Sequence, residues 1–154
     1  MKVSGIIIED FVNYKKPSLF IGFSMCDFKC QKEFGVVCQN ATLIQQSQNV
    51  DLRTLVQVYK DNPITKAIVF GGLEPFYDPK ELLELVQAFR EITENEIVIY
   101  SGYNEDEIQE TIEVLKKYPN IIVKFGRFCG GKEKNYDEVL GVELYDGQYA
   151  KKIS

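Results

Sequence analysis

Hydrophobic residues along this chain follow two patterns, short continuous runs and a spacing of three or four positions. Runs rich in Ile and Val are typical of strands covered on both faces of a sheet, and the wider spacing is typical of amphipathic helices. The runs predict six strands, at residues 3–9, 18–24, 64–70, 96–100, 121–125 and 139–144.

Three helices are predicted between these strands, each from a capping residue followed by periodic apolar positions. Asp51 and Asn104 are expected to cap the first and third helices, because short polar side chains accept hydrogen bonds from the first turn. Asp78 is expected to cap the second, with Pro79 at the first helical position and Glu81 three residues after the cap. Strands that alternate with helices predict right-handed βαβ units, a mostly parallel sheet and thus an α/β fold.

The least regular sequences follow the predicted strands. They lie at residues 25–49, 71–75, 101–103 and 126–128. Because ligands bind at the carboxyl ends of the strands in α/β folds, we expect these loops to converge on one rim and to form the functional site.

Composition narrows the class of protein. The 154 residues predict a single domain, 1–154, and the 45% hydrophobic and 27% charged residues are typical of a folded soluble protein. The net charge of −5 argues against a broad nucleic-acid footprint. Neither a membrane-spanning run nor a signal-peptide pattern is recognised, so a cytoplasmic location is expected. The chain has no histidine, which excludes Ser-His-Asp and Cys-His catalysis and zinc sites with imidazole ligands.

Three cysteines, Cys26, Cys30 and Cys38, are crowded into the polar, patternless loop at about 25–49, and Cys129 lies far along the chain. A disulfide framework is not expected in a cytosolic chain with its own core, so the thiols indicate a metal site. A zinc site would need four ligands and usually shows C-x-x-C spacing, which is missing here, although Cys129 would supply a fourth thiol. A four-iron cluster held by three thiolates would leave one iron open.

The cysteine loop resembles the cluster motif of the radical S-adenosylmethionine (SAM) superfamily, and most closely that of the activating proteins of anaerobic ribonucleotide reductase. The family motif is C-x3-C-x2-C, and the resemblance rests on the spacing of Cys26 and Cys30 and on the residues flanking Cys38, which are Val37, Asn40 and Thr42. The second spacing departs from the motif, with seven residues between Cys30 and Cys38. Loop closure costs grow only slowly with length, so the longer loop still permits a cluster.

The resemblance extends to the other loops. Residues 71–75, Gly-Gly-Leu-Glu-Pro, are similar to the family's G-G-[ED]-P loop with Leu73 inserted, Ser101 opens a T-G-Y-like segment, and Arg127 lies in a segment similar to V-D-G-[KR]-F. The resemblance implies contacts with SAM from Val37, Asn40, Gly71, Gly72, Glu74, Ser101 and Arg127. The alternative is ordinary structure, in which the glycines turn the chain, Tyr103 packs on the rim and Arg127 is a solvated cation.

The family also implies a small partial (β/α) barrel with a [4Fe-4S] cluster ligated by Cys26, Cys30 and Cys38. Members reductively cleave SAM, and the activating proteins use the resulting 5′-deoxyadenosyl radical to abstract hydrogen from a glycine of a large partner. That partner would be a glycyl-radical enzyme such as anaerobic ribonucleotide reductase, and a low-potential electron donor would supply the electron. Two alternatives remain open: a small radical SAM enzyme that acts on a small molecule, and a non-catalytic iron–sulfur or zinc module.

Overall fold

The computed structural model describes residues 1–38, 40–131 and 133–154. Residue 39, within the predicted loop at 25–49, lies outside the described residues. The strands are β1 Lys2–Asp10, β2 Ser18–Phe23, β3 Gln48–Asn49, β4 Ala67–Gly72, β5 Ile97–Tyr100, β6 Ile121–Phe125, β7 Lys134–Asp137, β8 Val142–Tyr145 and β9 Tyr149–Lys152. The α-helices are α1 Lys29–Phe34, α2 Leu52–Asp61, α3 Pro79–Arg90 and α4 Gln109–Leu115, and 3₁₀ segments occupy Ala41–Gln46, Pro75–Tyr77 and Glu105–Ile108.

Seven strands form one sheet in the order β3-β1-β2-β4-β5-β6-β9. The four central strands, β2, β4, β5 and β6, run parallel to one another, and the outer strands β1, β3 and β9 are antiparallel to their neighbours. The helices α2, α3 and α4 connect successive parallel strands. The fold is therefore mixed α/β with a mostly parallel central sheet, as the sequence predicts.

The predicted helix caps are present. The Asp51 carboxylate accepts a hydrogen bond from the backbone N–H of Arg53 (2.9 Å), and that of Asp78 accepts one from Glu81 (3.2 Å). Asn104 and Glu107 form a capping box at a segment that starts as a 3₁₀ helix. These caps satisfy N–H groups that the first helical turn leaves without intrahelical partners.

The sheet buries apolar side chains on both of its faces, as continuous Ile and Val runs predict. One face packs under the helices through residues such as Leu55, Phe70, Phe89 and Ile112. The other face packs against a separate two-stranded hairpin, β7–β8, whose Leu140 and Leu144 are buried with Tyr14, Val69 and Val98. No helix among the described residues has both the length and the apolar character that a membrane crossing requires.

The C-terminal part differs from the sequence prediction. The strand predicted at 139–144 is wrong in its first half, because the chain turns between β7 and β8 with Gly141 in the left-handed region (φ 73°). Strands β7 and β9 were not predicted. Their sequences, Lys-Asn-Tyr-Asp and Tyr-Ala-Lys-Lys, carry no apolar run because most of their side chains are exposed or half-buried.

Candidate functional site

Four loops meet at the carboxyl ends of the parallel strands, as predicted. We call this rim the mouth, and its loops are residues 24–38, 71–75, 101–104 and 126–131. Backbone hydrogen bonds join neighbouring loops, from Glu74 N to Met25 O (2.9 Å) and from Gly126 N to Tyr103 O (3.0 Å). The mouth is therefore held together by the chain itself.

The first three cysteines are free, half-buried thiols in the first loop of the mouth. Phe28, with a left-handed backbone (φ 56°), directs the chain into α1, and its N–H donates to Cys26 Sγ (3.2 Å). Cys30 Sγ accepts from the backbone N–H of Phe128 (3.3 Å), across the mouth. Cys38 lies near enough that its charge acts on the pKa values of both Cys26 and Cys30. Ligation of a cluster by these three thiols stays a prediction.

Burial governs the protonation of two of these thiols. It raises the pKa of Cys26 to about 11, against a lowering effect of the Phe28 N–H. Burial also raises the pKa of Cys30, against the Phe128 N–H and the positive charges of Arg127 and Lys124. Because the thiolate is the metal ligand, binding of a metal or cluster here must release protons.

The described side chains contain no ready-made site for a single metal ion. Within residues 1–38, 40–131 and 133–154, no three Cys, Asp or Glu side chains converge on a position for one metal ion. A zinc site needs its ligands around a single point, whereas a four-iron cluster takes each thiolate on a separate iron atom. Cys129 Sγ instead donates to the carbonyl of Arg127 (3.7 Å).

Glu74 joins the loop after β4 to the loop after β5. One carboxylate oxygen accepts from Phe76 N (3.0 Å) and Ser101 Oγ (2.9 Å), and the other accepts from Gly102 N (2.7 Å). The side chain is 4% exposed, and burial raises its pKa to about 7 against these hydrogen bonds. Both oxygens are therefore engaged within the protein, and a contact between Glu74 and a ligand stays a prediction.

Gly72 allows two strands to approach closely. Its backbone is left-handed (φ 85°), and a Cβ there would lie 2.9 Å from the Cα of Gly22. The side-chain amide of Asn40 donates to the Gly72 carbonyl (3.1 Å), which ties the cysteine loop to the end of β4. Gly71 lies beside it in β4, and a Cβ on Gly71 would meet the ring of Phe20.

Arg127 links three parts of the mouth. Its guanidinium donates to the Gly102 carbonyl (2.6 Å) and forms ion pairs with Glu33 (3.0 Å) and Glu107 (2.6 Å). Because its side chain is 5% exposed, Arg127 is not the solvated rim cation of the structural alternative. Its direct role toward SAM stays a prediction.

A tyrosine and a lysine add to this linkage. The Tyr103 hydroxyl donates to the Asp27 carboxylate (2.9 Å), and Lys29 Nζ lies 5.0 Å from the centre of the Tyr103 ring. Lys29 also pairs with Glu107 (3.2 Å). Tyr103 therefore bonds to the cysteine loop in addition to packing on the rim.

Lys124 is a mouth residue that sequence reasoning missed. It lies in β6 and is 7% exposed, and its ammonium donates to Ser101 O (3.1 Å) and Gly126 O (3.2 Å). Burial lowers its pKa to about 8, opposed by the negative charges of Glu74 and Cys30. The available signal was a single lysine within an apolar run expected to be covered on both faces.

Not every predicted site residue of the mouth is buried. Val37 is 84% exposed, and Met25 and Phe34 are each about half exposed. An open cleft of about 470 Å³ adjoins α1 and is lined by Phe28, Gln31, Lys32 and Ala41. In the described part of the chain every buried side-chain nitrogen and oxygen has a hydrogen-bond partner.

Comparison with known proteins adds one finding. A family model described as "4Fe-4S single cluster domain" matches residues 16–145, a span that includes all four loops of the mouth. No curated protein and no solved structure gives a significant match.

Proposed function

Because the chain belongs to the 4Fe-4S single cluster domain family, we propose that Cys26, Cys30 and Cys38 ligate its one cluster. The chain thus carries an iron–sulfur cluster-binding domain, and the proposal concerns which residues hold the cluster and what it does. The observation that supports the proposal is that three half-buried thiols lie in the first loop of the mouth, with Cys30 bonded to the N–H of Phe128. Three protein ligands on four irons leave one iron open to a further ligand.

We further propose that this protein is a radical SAM oxidoreductase built on a small partial (β/α) barrel. The four parallel strands with helical crossovers, and a mouth at their carboxyl ends, support this proposal. The reduced cluster would supply the electron that cleaves the sulfonium of SAM. The protein would bind and orient the cofactors and exclude competing reactions.

The residues proposed to bind SAM have two kinds of role in the mouth: some lie where a ligand would bind, and others hold the loops in place. Gly71, Gly72 and Ser101 lie where β4 and β5 end, and backbone there can approach a ligand closely. Asn40 fixes the Gly72 carbonyl, and Val37 flanks Cys38 on the exposed side. Glu74 and Arg127 support the site by holding its loops in place.

The proposed partner is a large glycyl-radical enzyme, such as an anaerobic ribonucleotide reductase, with a low-potential donor for the electron. Met25, Phe34 and Val37 expose apolar surface along the cysteine loop. Exposed apolar side chains along one loop favour protein contact. A macromolecular substrate at the mouth accounts for that surface better than a small molecule does.

A second candidate function is electron transfer without SAM chemistry. The internal bonding of Glu74 and Arg127 favours it, because these charged groups have protein partners in place of a ligand. Both candidates share the same cluster, and SAM cleavage on reduction separates them.

The ligand set is tested by anaerobic reconstitution with iron and sulfide. Cys26→Ala, Cys30→Ala and Cys38→Ala should each lose the visible absorption and the full iron and sulfide content, whereas the matched control Cys129→Ala should keep both. A colourless protein that holds zinc, or a cluster that also requires Cys129, would contradict the ligand set.

The activity is then tested on the reconstituted protein. Reduction with dithionite in the presence of SAM should release methionine and 5′-deoxyadenosine, and an added glycyl-radical enzyme should acquire an EPR-detectable glycyl radical. A reducible cluster that leaves SAM intact would support the electron-transfer function instead.

A further inference from the structure

Lys124 places a buried positive charge at the base of the mouth. It is the one lysine whose side chain is buried among the described residues. Its ammonium is bonded to the carbonyls of Ser101 and Gly126, and no carboxylate in the described part of the chain lies within ion-pair distance of it. Burial of an ammonium without an ion pair costs free energy, so we expect another interaction at Lys124 to offset that cost.

Both loops that bind the Lys124 ammonium also contact Cys30. Gly102 follows Ser101, and a Cβ at Gly102 would lie 3.3 Å from Cys30 Sγ. Two residues beyond Gly126, the N–H of Phe128 donates to the same sulfur (3.3 Å). The lysine charge is therefore held by the two backbone segments that also contact the Cys30 thiol, and it acts on the pKa of that thiol.

The other charged side chains near Cys30 are Arg127 and Glu74, and both have hydrogen-bond partners of their own. Arg127 is neutralised by Glu33 and Glu107. Glu74 faces the same region and its negative charge acts on Lys124, but its oxygens bind Phe76, Ser101 and Gly102 and form no ion pair with the lysine. Lys124 is thus the cation near Cys30 that has no ion-pair partner in the described structure.

We infer that Lys124 is a positioning residue for electron transfer, whose fixed charge raises the reduction potential of the cluster ligated at Cys30. The inference rests on the proposed ligand set. One-electron reduction of the cluster adds one negative charge, and a nearby buried cation stabilises the reduced form more than the oxidised form. Removal of the charge should therefore make the cluster harder to reduce.

Three variants of the reconstituted full chain test this inference. Lys124→Met removes both the charge and the donor, Lys124→Gln removes the charge and keeps an N–H donor for the carbonyls, and Lys151→Met removes an exposed lysine of β9 as a matched control. Each is titrated anaerobically with dithionite and redox mediators at pH 7, and the reduced cluster is measured by EPR.

We expect the ratio of reduced to oxidised cluster at a given ambient potential to fall at least tenfold in both Lys124 variants, which corresponds to about 59 mV for a one-electron couple. Lys151→Met should stay within about twofold of the unsubstituted protein, because solvent screens an exposed charge.

Four outcomes would overturn the inference. They are unchanged potentials in both Lys124 variants, a shift in Lys124→Met alone, a comparable shift in Lys151→Met, and failure of both Lys124 variants to hold a cluster that Lys151→Met holds. Failure of the unsubstituted protein to assemble any cluster would contradict the proposed ligand set as well, and it is recognised by iron and sulfide analysis before any titration.

Discussion

The carboxylate of Glu74 lies 2.7 Å from the backbone nitrogen of Gly102. Two loops that the sequence suggests as separate ligand contacts are therefore one hydrogen-bonded unit. The bond from Ser101 Oγ to the same carboxylate (2.9 Å) strengthens this connection. The mouth is thus ordered by its own side chains before any ligand binds.

Glu74 should make stability fall as the pH rises. Burial raises its folded pKa to about 7 from 4.5, so between these pH values the folded protein binds more protons than the unfolded chain. Stability then decreases from about pH 4.5 to pH 7, by an amount on the order of 3 kcal/mol. Glu74→Gln should remove this dependence, measured as the difference in urea unfolding free energy from the unsubstituted protein at pH 5 and pH 8.

The control for that measurement is Glu84→Gln, which changes an exposed carboxylate of α3. Its difference from the unsubstituted protein should be the same at both pH values. If the difference in unfolding free energy for Glu74→Gln were also the same at pH 5 and pH 8, Glu74 would not titrate in this range.

The parallel core could be predicted from the sequence, and its hydrogen-bonded details could not. Buried runs such as Ile121–Phe125 identify their strands directly, because both faces of the sheet are covered. The polar strand Tyr149–Lys152 gives no such signal. The sequence also indicates that Glu74 and Arg127 belong to the mouth, but not that their partners lie within the protein, because the spacing along a chain does not specify the contacts between loops.

Arg127→Met should destabilise the protein by about 2 kcal/mol, because it leaves the Gly102 carbonyl without this donor and removes the ion pairs with Glu33 and Glu107. Lys151→Met breaks a more exposed pair with Glu105 and should cost less than about 1 kcal/mol. Urea unfolding of both variants checks the difference. Equal effects would mean that the Arg127 bonds add nothing beyond a surface ion pair.

Gly72→Ala should cost more than Gly147→Ala, although both glycines have nearly the same backbone (φ 85° and 86°). A Cβ at Gly147 meets nothing within 4 Å, whereas at Gly72 it meets the Gly22 backbone at 2.9 Å. We expect Gly147→Ala to lower the free energy of unfolding by about 1 kcal/mol, through backbone strain alone. Gly72→Ala should lower it by about 3 kcal/mol, because overlap with the Gly22 backbone adds to the strain. Thermal unfolding measures both, and similar losses would argue against the close strand approach.

Asp27 and Tyr103 should show an energetic coupling of about 1 kcal/mol in a double-mutant cycle. Burial and then the hydrogen bond to Asp27 raise the pKa of the Tyr103 phenol, so the hydroxyl remains a donor at neutral pH. The cycle uses Asp27→Ala, Tyr103→Phe and the double variant, measured by urea unfolding without a cluster. Tyr118→Phe, three residues after α4, is the control, and its effect should simply add to that of Asp27→Ala.

The complete pairing of buried side-chain polar atoms within the described part of the chain has a consequence for exposure to air. Small metal-binding domains often unfold when stripped of metal, because the bound ion supplies their folding energy. Here a buried hydrophobic core and hydrogen bonds between loops are formed by protein groups alone. We therefore expect the chain to stay folded after oxygen has destroyed its cluster, and to bind a newly assembled cluster without refolding.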